Sequence, residues 1–200
     1  MTTLVIQTEH WPLRVHWPAP TEMTAAQFYD FCQANPELRI ERSAQGDLIV
    51  MPPSFSDTGN RNLRIGQQLA NWADADGTGE VFDSSTGFTL PNGATRSPDA
   101  AWINRSRWEA LTPDEQASFA PLCPDFVVEL RSASDALPRL QAKLEEYIAN
   151  GAILGWLIDR QNRQVHVYRP NQPPTILDHP ASVSADPELP GFTLSLAKIW

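Results

Sequence analysis

Apolar positions along this chain fall into two rhythms. One follows the three-to-four-residue spacing of a helix; the other forms short β-branched and aromatic runs bounded by Pro, Gly, Asn and Asp. Thr24-Ala25-Ala26-Gln27 has the form of a capping box, and Phe28, Phe31 and Cys32 make a helical stripe that ends before Pro36. Residues 38–41 and 48–51 flank the polar Ala44-Gln45-Gly46-Asp47 turn and read as a hairpin. A helix is predicted from about 60 to 73, with Leu63, Gly66, Leu69, Ala70 and Ala73 on one face, closed by Gly77-Thr78-Gly79. Strands follow near 80–82, 88–90 and 96–103, with Pro91-Asn92-Gly93 turning between the last two.

Two short helices are predicted to flank Thr112-Pro113, where threonine caps and proline fits a first turn. A strand at 126–130 and a helix at about 137–150, ended by Gly151, come next. Residues 154–158 and 164–168 form a hairpin around Gln161-Asn162, and 175–177 form a further strand. Apolar residues from Phe192 to Trp200 are expected to dock back onto the body. The expected architecture is one α/β domain over 1–200 with a central mixed β-sheet flanked by helices. An extended N-terminal arm (about 1–22) and a proline-rich C-terminal segment (about 170–200) complete it.

Two acids break the apolar pattern. Asp99, in Ser97-Pro98-Asp99-Ala100-Ala101, opens an apolar stretch that runs to Ile103. Glu129 interrupts Phe126-Val127-Val128-Glu129-Leu130, the most hydrophobic strand of the chain. An ionised carboxylate resists leaving water unless something pairs with it. A shared hard cation such as Mg²⁺, which takes oxygen ligands from one or two carboxylates, waters and substrate phosphate, is one such partner. That is chemistry for phosphodiester hydrolysis. The bland alternatives are a polar strand start for Asp99 and an arginine salt bridge for Glu129. Pro124-Asp125 is a second Pro-Asp pair, but Asp125 precedes its strand, so a solvated cap or turn suffices.

Other motifs extend the pattern: Arg39-Ile40-Glu41, Gly46-Asp47-Leu48-Ile49-Val50-Met51-Pro52-Pro53, Glu129-Leu130-Arg131-Ser132, and Lys143 through Glu146-Tyr147 to Gly151 and Trp156-Leu157-Ile158-Asp159. With Pro98-Asp99 as first half and Glu129-Leu130-Arg131 as second, the chain resembles the PD-(D/E)XK nuclease superfamily. More narrowly it resembles the Uma-two-type family of bacterial proteins described as restriction endonucleases, from about Thr24 to Trp200. The resemblance implies a restriction-endonuclease-like core, Mg²⁺- or Mn²⁺-dependent cleavage of phosphodiesters in DNA, and a homodimer. A nuclease-fold module that binds nucleic acid or another ligand without cleaving is the alternative.

Arg131 stands where the superfamily pattern usually has lysine. Arginine stays protonated and is a poor general base, although it can stabilise a phosphate. Lys143 is a second candidate, because Leu140, Lys143, Leu144 and Tyr147 share one helical face; a snorkelling side chain is the plain reading. Glu41 is either a third metal ligand or a partner of Arg39 or Arg42. Asp57, Asn60 and Asn62, near the start of the second helix, are ordinary N-cap candidates. His10, His16, His166 and His179 show no paired metal spacing, and Cys32 is read as a small core residue.

Composition limits these readings. The formal net charge of -9 opposes a large sequence-independent affinity for nucleic acid, so a local basic cleft or bound cations must offset it. Lysine occurs only at Lys143 and Lys198. Two cysteines are too few for a disulfide framework, and neither a secretion signal nor a membrane span is visible, so a cytoplasmic location is expected.

Overall fold

A computed structural model describes residues 12–15 and 23–200. The rest of the expected N-terminal arm, with His10 and His16, lies outside the described residues. Within the arm, β1 (Leu13–Val15) is a strand, because it pairs antiparallel with β3 and completes that edge. Next come α1 (Ala25–Ala34), opened by the Thr24–Gln27 capping box, then β2 (Arg39–Arg42) and β3 (Leu48–Met51) as the expected hairpin. Cys32 is only half-buried; Phe28 is the residue of α1 that enters the interior.

The second helix, α2 (Ser56–Asp76), starts a turn earlier than expected and ends where Gly77 adopts a left-handed conformation, φ 74°. Its buried face is Thr58, Asn62, Ile65, Leu69 and Ala73, whereas Leu63 is 66% exposed. The expected stripe was therefore rotated. A helix has one register that suits its neighbours, and here the bulkier Ile65–Leu69–Ala73 row takes it.

The chain continues through β4 (Gly79–Asp83), β5 (Phe88–Thr89), β6 (Thr95–Arg96) and β7 (Ala100–Asn104). The single strand expected over 96–103 is thus two strands in different sheets. Pro98 has no N–H to give a ladder, and the chain changes sheet around it. Then follow α3 (Arg105–Glu109), α4 (Pro113–Gln116), β8 (Phe126–Leu130), α5 (Leu137–Ala149), β9 (Leu154–Asp159), β10 (Gln164–Tyr168) and β11 (Thr175–Asp178). A final hairpin, β12 (Ser182–Ser184) with β13 (Thr193–Ser195), ends the described elements.

The central sheet has six strands in the order β11-β10-β9-β8-β7-β4. Its β8–β9 pair is parallel and bridged by α5, while the other pairs are antiparallel, so the sheet is mixed. A five-stranded sheet, β1-β3-β2-β6-β5, lies beside it in the chain path. Alternation along β8 divides the core. Phe126, Val128 and Leu130 join Ile65 and Leu69 of α2 and the tail residues Phe192, Leu194, Leu196 and Ile199. Val127 faces the other way, with Leu140, Leu144 and Tyr147 of α5.

Candidate active site

The antiparallel register of β7 and β8 sets Ala100 opposite Val128 and Ala101 opposite Val127. Asp99 directly precedes Ala100 and Glu129 directly follows Val128, so the two acids leave the paired residues at the same end of this ladder. Both acids line a cleft of about 110 Å³, together with Arg39, Ser97, Arg139 and Lys143.

Asp99 is held from two elements. Its Oδ2 accepts from the Leu130 backbone N–H at 2.8 Å, and its Oδ1 accepts from Asn62 Nδ2 on α2 at 2.7 Å. A carboxylate offers about four lone-pair sites, so each oxygen keeps acceptor capacity. Burial pushes the Asp99 carboxyl above its ordinary value despite these bonds and the nearby Lys143 charge. Glu129 is 4% exposed, and both Lys143 Nζ at 2.8 Å and the Tyr147 hydroxyl at 3.2 Å meet its Oε1. Burial again dominates and pushes its carboxyl up to about 7, with the neighbouring Asp99 and Glu41 charges adding to the rise.

Lys143 sits at the junction of the two sheets. Its Nζ also reaches Glu41 Oε1 at 2.8 Å and donates to the Ser97 carbonyl at 3.2 Å. Burial alone would lower its pKa, but Glu129 and Glu41 outweigh burial and hold the amine protonated. Glu41, on β2, accepts in addition from the Ser97 N–H at 3.0 Å and from Arg96 Nη1 at 3.2 Å. Burial would raise its carboxyl, yet Lys143 and Arg96 keep it below the ordinary range. Arg96 in turn bonds Glu146 of α5 at 2.6 Å. The bonds to Ser97 bind the turn before Pro98 to both β2 and α5, which fixes where Asp99 stands just ahead of β7.

Arg131 lies elsewhere. Its Nη1 donates to both oxygens of the fully buried Asp159, at 3.1 and 3.0 Å, and its Nε donates to the Asp135 carbonyl. It does not line the cleft that holds Asp99, Glu129 and Lys143. Asp125 is also remote in role, since it accepts from the Asn104 N–H at 2.8 Å and pairs with Arg107 at 2.6 Å. It is buried, not solvated as the sequence suggested, because α3 turns back over the start of β8.

Three residues in or behind the cleft are given no part in the site by the sequence. Asn62 is no N-cap, since α2 begins at Ser56 and its cap position is Phe55; Asp57 instead pairs with Arg61 and Arg160. A polar residue three before Ile65 on the buried stripe was the available signal, hidden by the rotated face. Tyr147 reads only as part of the helix face that carries Lys143, and Arg139, four residues before Lys143, is not singled out.

Comparison with known proteins places the chain in a family. A family model described as "Putative restriction endonuclease", Uma2, matches residues 25–197. The chain belongs to the Uma2 family. A crystal structure from Anabaena variabilis ATCC 29413, described as "a putative nuclease belonging to DUF820", superposes with a TM-score of 0.70 at 19% identity, covering 82% of this chain and 90% of that one. At that identity the likeness is one of fold: this Uma2 chain has a nuclease fold. No curated protein matches the sequence. Family and fold together support a nuclease, and among the described residues no helix is long and apolar enough to cross a membrane.

A divalent cation fits this Uma2 site in one way. No three His, Cys, Asp or Glu side chains converge as a ready ligand set among the described residues. Asp99 and Glu129 are a two-carboxylate pair, the number Mg²⁺ commonly takes from protein while keeping waters and phosphate. Burial is the main cause of their raised pKa values, and a bound cation would offset it; Lys143 and Arg96 already pair with Glu41, Glu129 and Glu146.

Proposed function

We propose that this chain is a Mg²⁺- or Mn²⁺-dependent endonuclease of the PD-(D/E)XK type that hydrolyses phosphodiester bonds in DNA. The observation that carries the reading is the cross-strand pair Asp99 and Glu129 on the cleft wall, with Lys143 Nζ 2.8 Å from Glu129. Asp99 and Glu129 would hold the cation, which would supply Lewis-acid chemistry for activating a water and stabilising phosphate charge.

The chain's own groups do the rest. Asn62 and the Leu130 N–H hold the Asp99 carboxylate in place. The Tyr147 hydroxyl and Lys143 fix Glu129. Lys143, kept protonated by two acids, is a cation and hydrogen-bond donor for the phosphate, not a base. Glu41 holds Lys143 and Ser97, so its part is to position them. Arg131 supports the end of β8 through Asp159.

The net charge of -9 favours a rival, a binding module without hydrolysis. Calorimetry with Mn²⁺ and cleavage of plasmid DNA separate the two. The endonuclease reading expects Mn²⁺ binding that Asp99→Ala and Glu129→Gln abolish, and cleavage lost with it. Mn²⁺ binding by a wild type that cleaves neither plasmid nor single-stranded DNA would leave the binding module. The reading also places the protein in the cytoplasm as a homodimer offering two such sites to a palindromic duplex. Light scattering should give twice the 22.3 kDa chain mass.

A further inference from the structure

Two hollows meet on α5. The cleft that holds Asp99 and Glu129 is one; a second, of about 400 Å³, is lined by Glu41, Arg96 and Glu146. Arg139 and Lys143 line both. Lys143 is taken up by Glu41 and Glu129, at 2.8 Å each. Arg139 is not. Its Nη1 is buried without a hydrogen-bond partner among the described residues. Among the described residues its one ionic neighbour is Asp135, 3.9 Å from Nη2, and Asp135 already accepts from the Ser132 N–H and hydroxyl through its other oxygen. Arg39, the other arginine of the cleft, donates to Ser54 Oγ at 3.1 Å and to the Ser84 carbonyl at 2.8 Å.

A buried guanidinium N–H left unpaired costs stability, and such a group persists where a ligand pairs with it. Planar forked donors suit the oxygens of a phosphate, which a guanidinium can engage through two parallel bonds. In a chain of net charge -9, an arginine in the cleft with only a distant ionic neighbour and a donor left over is where a polyanion gains attraction. We infer that Arg139, which the sequence pattern did not single out, binds a backbone phosphate of the nucleic-acid strand where the two hollows meet, and so sets the strand's position over Asp99 and Glu129. Arg139 is a positioning residue under the endonuclease reading, on which this inference rests. The phosphate it takes adjoins the one to be cleaved, because Lys143 stands nearer the acids.

The test compares wild type, Arg139→Gln, Arg139→Lys and the exposed control Lys198→Gln on a fluorescent DNA duplex with Mn²⁺. For Arg139→Gln, KM should rise about tenfold, the effect of one lost charge-assisted hydrogen bond, with kcat within a few-fold of wild type. Its log–log salt slope should be smaller by about one, as expected for a lost phosphate contact. Mn²⁺ affinity should be unchanged. Arg139→Lys, which keeps the charge and the fold but not the fork, should restore the slope and only part of KM. Lys198→Gln should change neither. Wild-type KM and salt slope in Arg139→Gln, in an enzyme that cleaves, would overturn the inference and leave the endonuclease reading standing. A wild type that neither binds Mn²⁺ nor cleaves would overturn both. Should Arg139→Gln fail to fold, a wild-type KM in Arg139→Lys overturns the forked contact.

Discussion

Arg131 and Lys143 carry the same charge and receive different work from the fold. Arg131 satisfies Asp159, which is fully buried; burial raises that carboxyl, but the Asn162 hydrogen bond and the Arg131 charge outweigh it and hold it below its ordinary value. Arg131→Ala should therefore cost about 3–5 kcal/mol at pH 7, the usual penalty for a buried charge left unpaired. A depressed carboxyl gives stability that is present above its unfolded value and lost as pH falls through the folded one. The deficit of Arg131→Ala in urea unfolding should accordingly narrow below about pH 4. Lys143 differs in kind. Lys143→Arg keeps a cation between Glu41 and Glu129 yet moves its donors, so cleavage should fall about 10²–10³-fold while Arg131→Lys stays within a few-fold of wild type. Equal losses in the two variants, measured on folded protein, would place the functional cation at neither position.

Elements place these residues through ordinary packing. α5 buries Leu140, Leu144 and Tyr147, which leaves Arg139 and Lys143 along the edge that meets the clefts. α2 buries Ile65 and Leu69, and the same face carries Asn62 to Asp99. Ile65→Ala should cost about 2–5 kcal/mol by cavity formation, whereas Leu63→Gln should stay within about 0.5 kcal/mol. Chemical denaturation of the two variants distinguishes this register from the one that the apolar spacing favoured. Gly79 marks another close approach: a Cβ there would run into the Ile103 carbonyl and the Trp102 ring, so β4 can lie against β7 only with glycine at that point.

At the scale of the molecule, the last residues belong to the main core. Phe192, Leu194, Leu196 and Ile199 pack with Phe126, Trp156 and Leu69, and the Phe192 and Trp156 rings stack at 5.7 Å. A chain ending at Pro190 should lose its near-ultraviolet tryptophan signal and its cooperative transition. The full chain should unfold in one transition, coincident by far-ultraviolet circular dichroism and fluorescence. Two separated transitions would mean that the five-stranded sheet holds together without the six-stranded one.

Local signals were strong where a short stretch of chain decides its own conformation. The Thr24 and Thr112 capping boxes, the β2–β3 hairpin, the 126–130 strand and the ends of α5 follow from hydrogen bonds and side-chain periods within a few residues. Asp99 and Glu129 stood out because a carboxylate in an apolar run conflicts with burial, and the fold makes them cross-strand neighbours. The break of 96–103 into two strands, the register of α2, the pairing of Arg131 with Asp159 and the burial of Asp125 depended on partners far along the chain. So did the place of Lys143, whose two carboxylates come from β2 and β8. Side-chain charge and local spacing are properties of sequence, but which buried charge meets which is fixed only when distant elements share one interior, since burial itself makes the pairing obligatory.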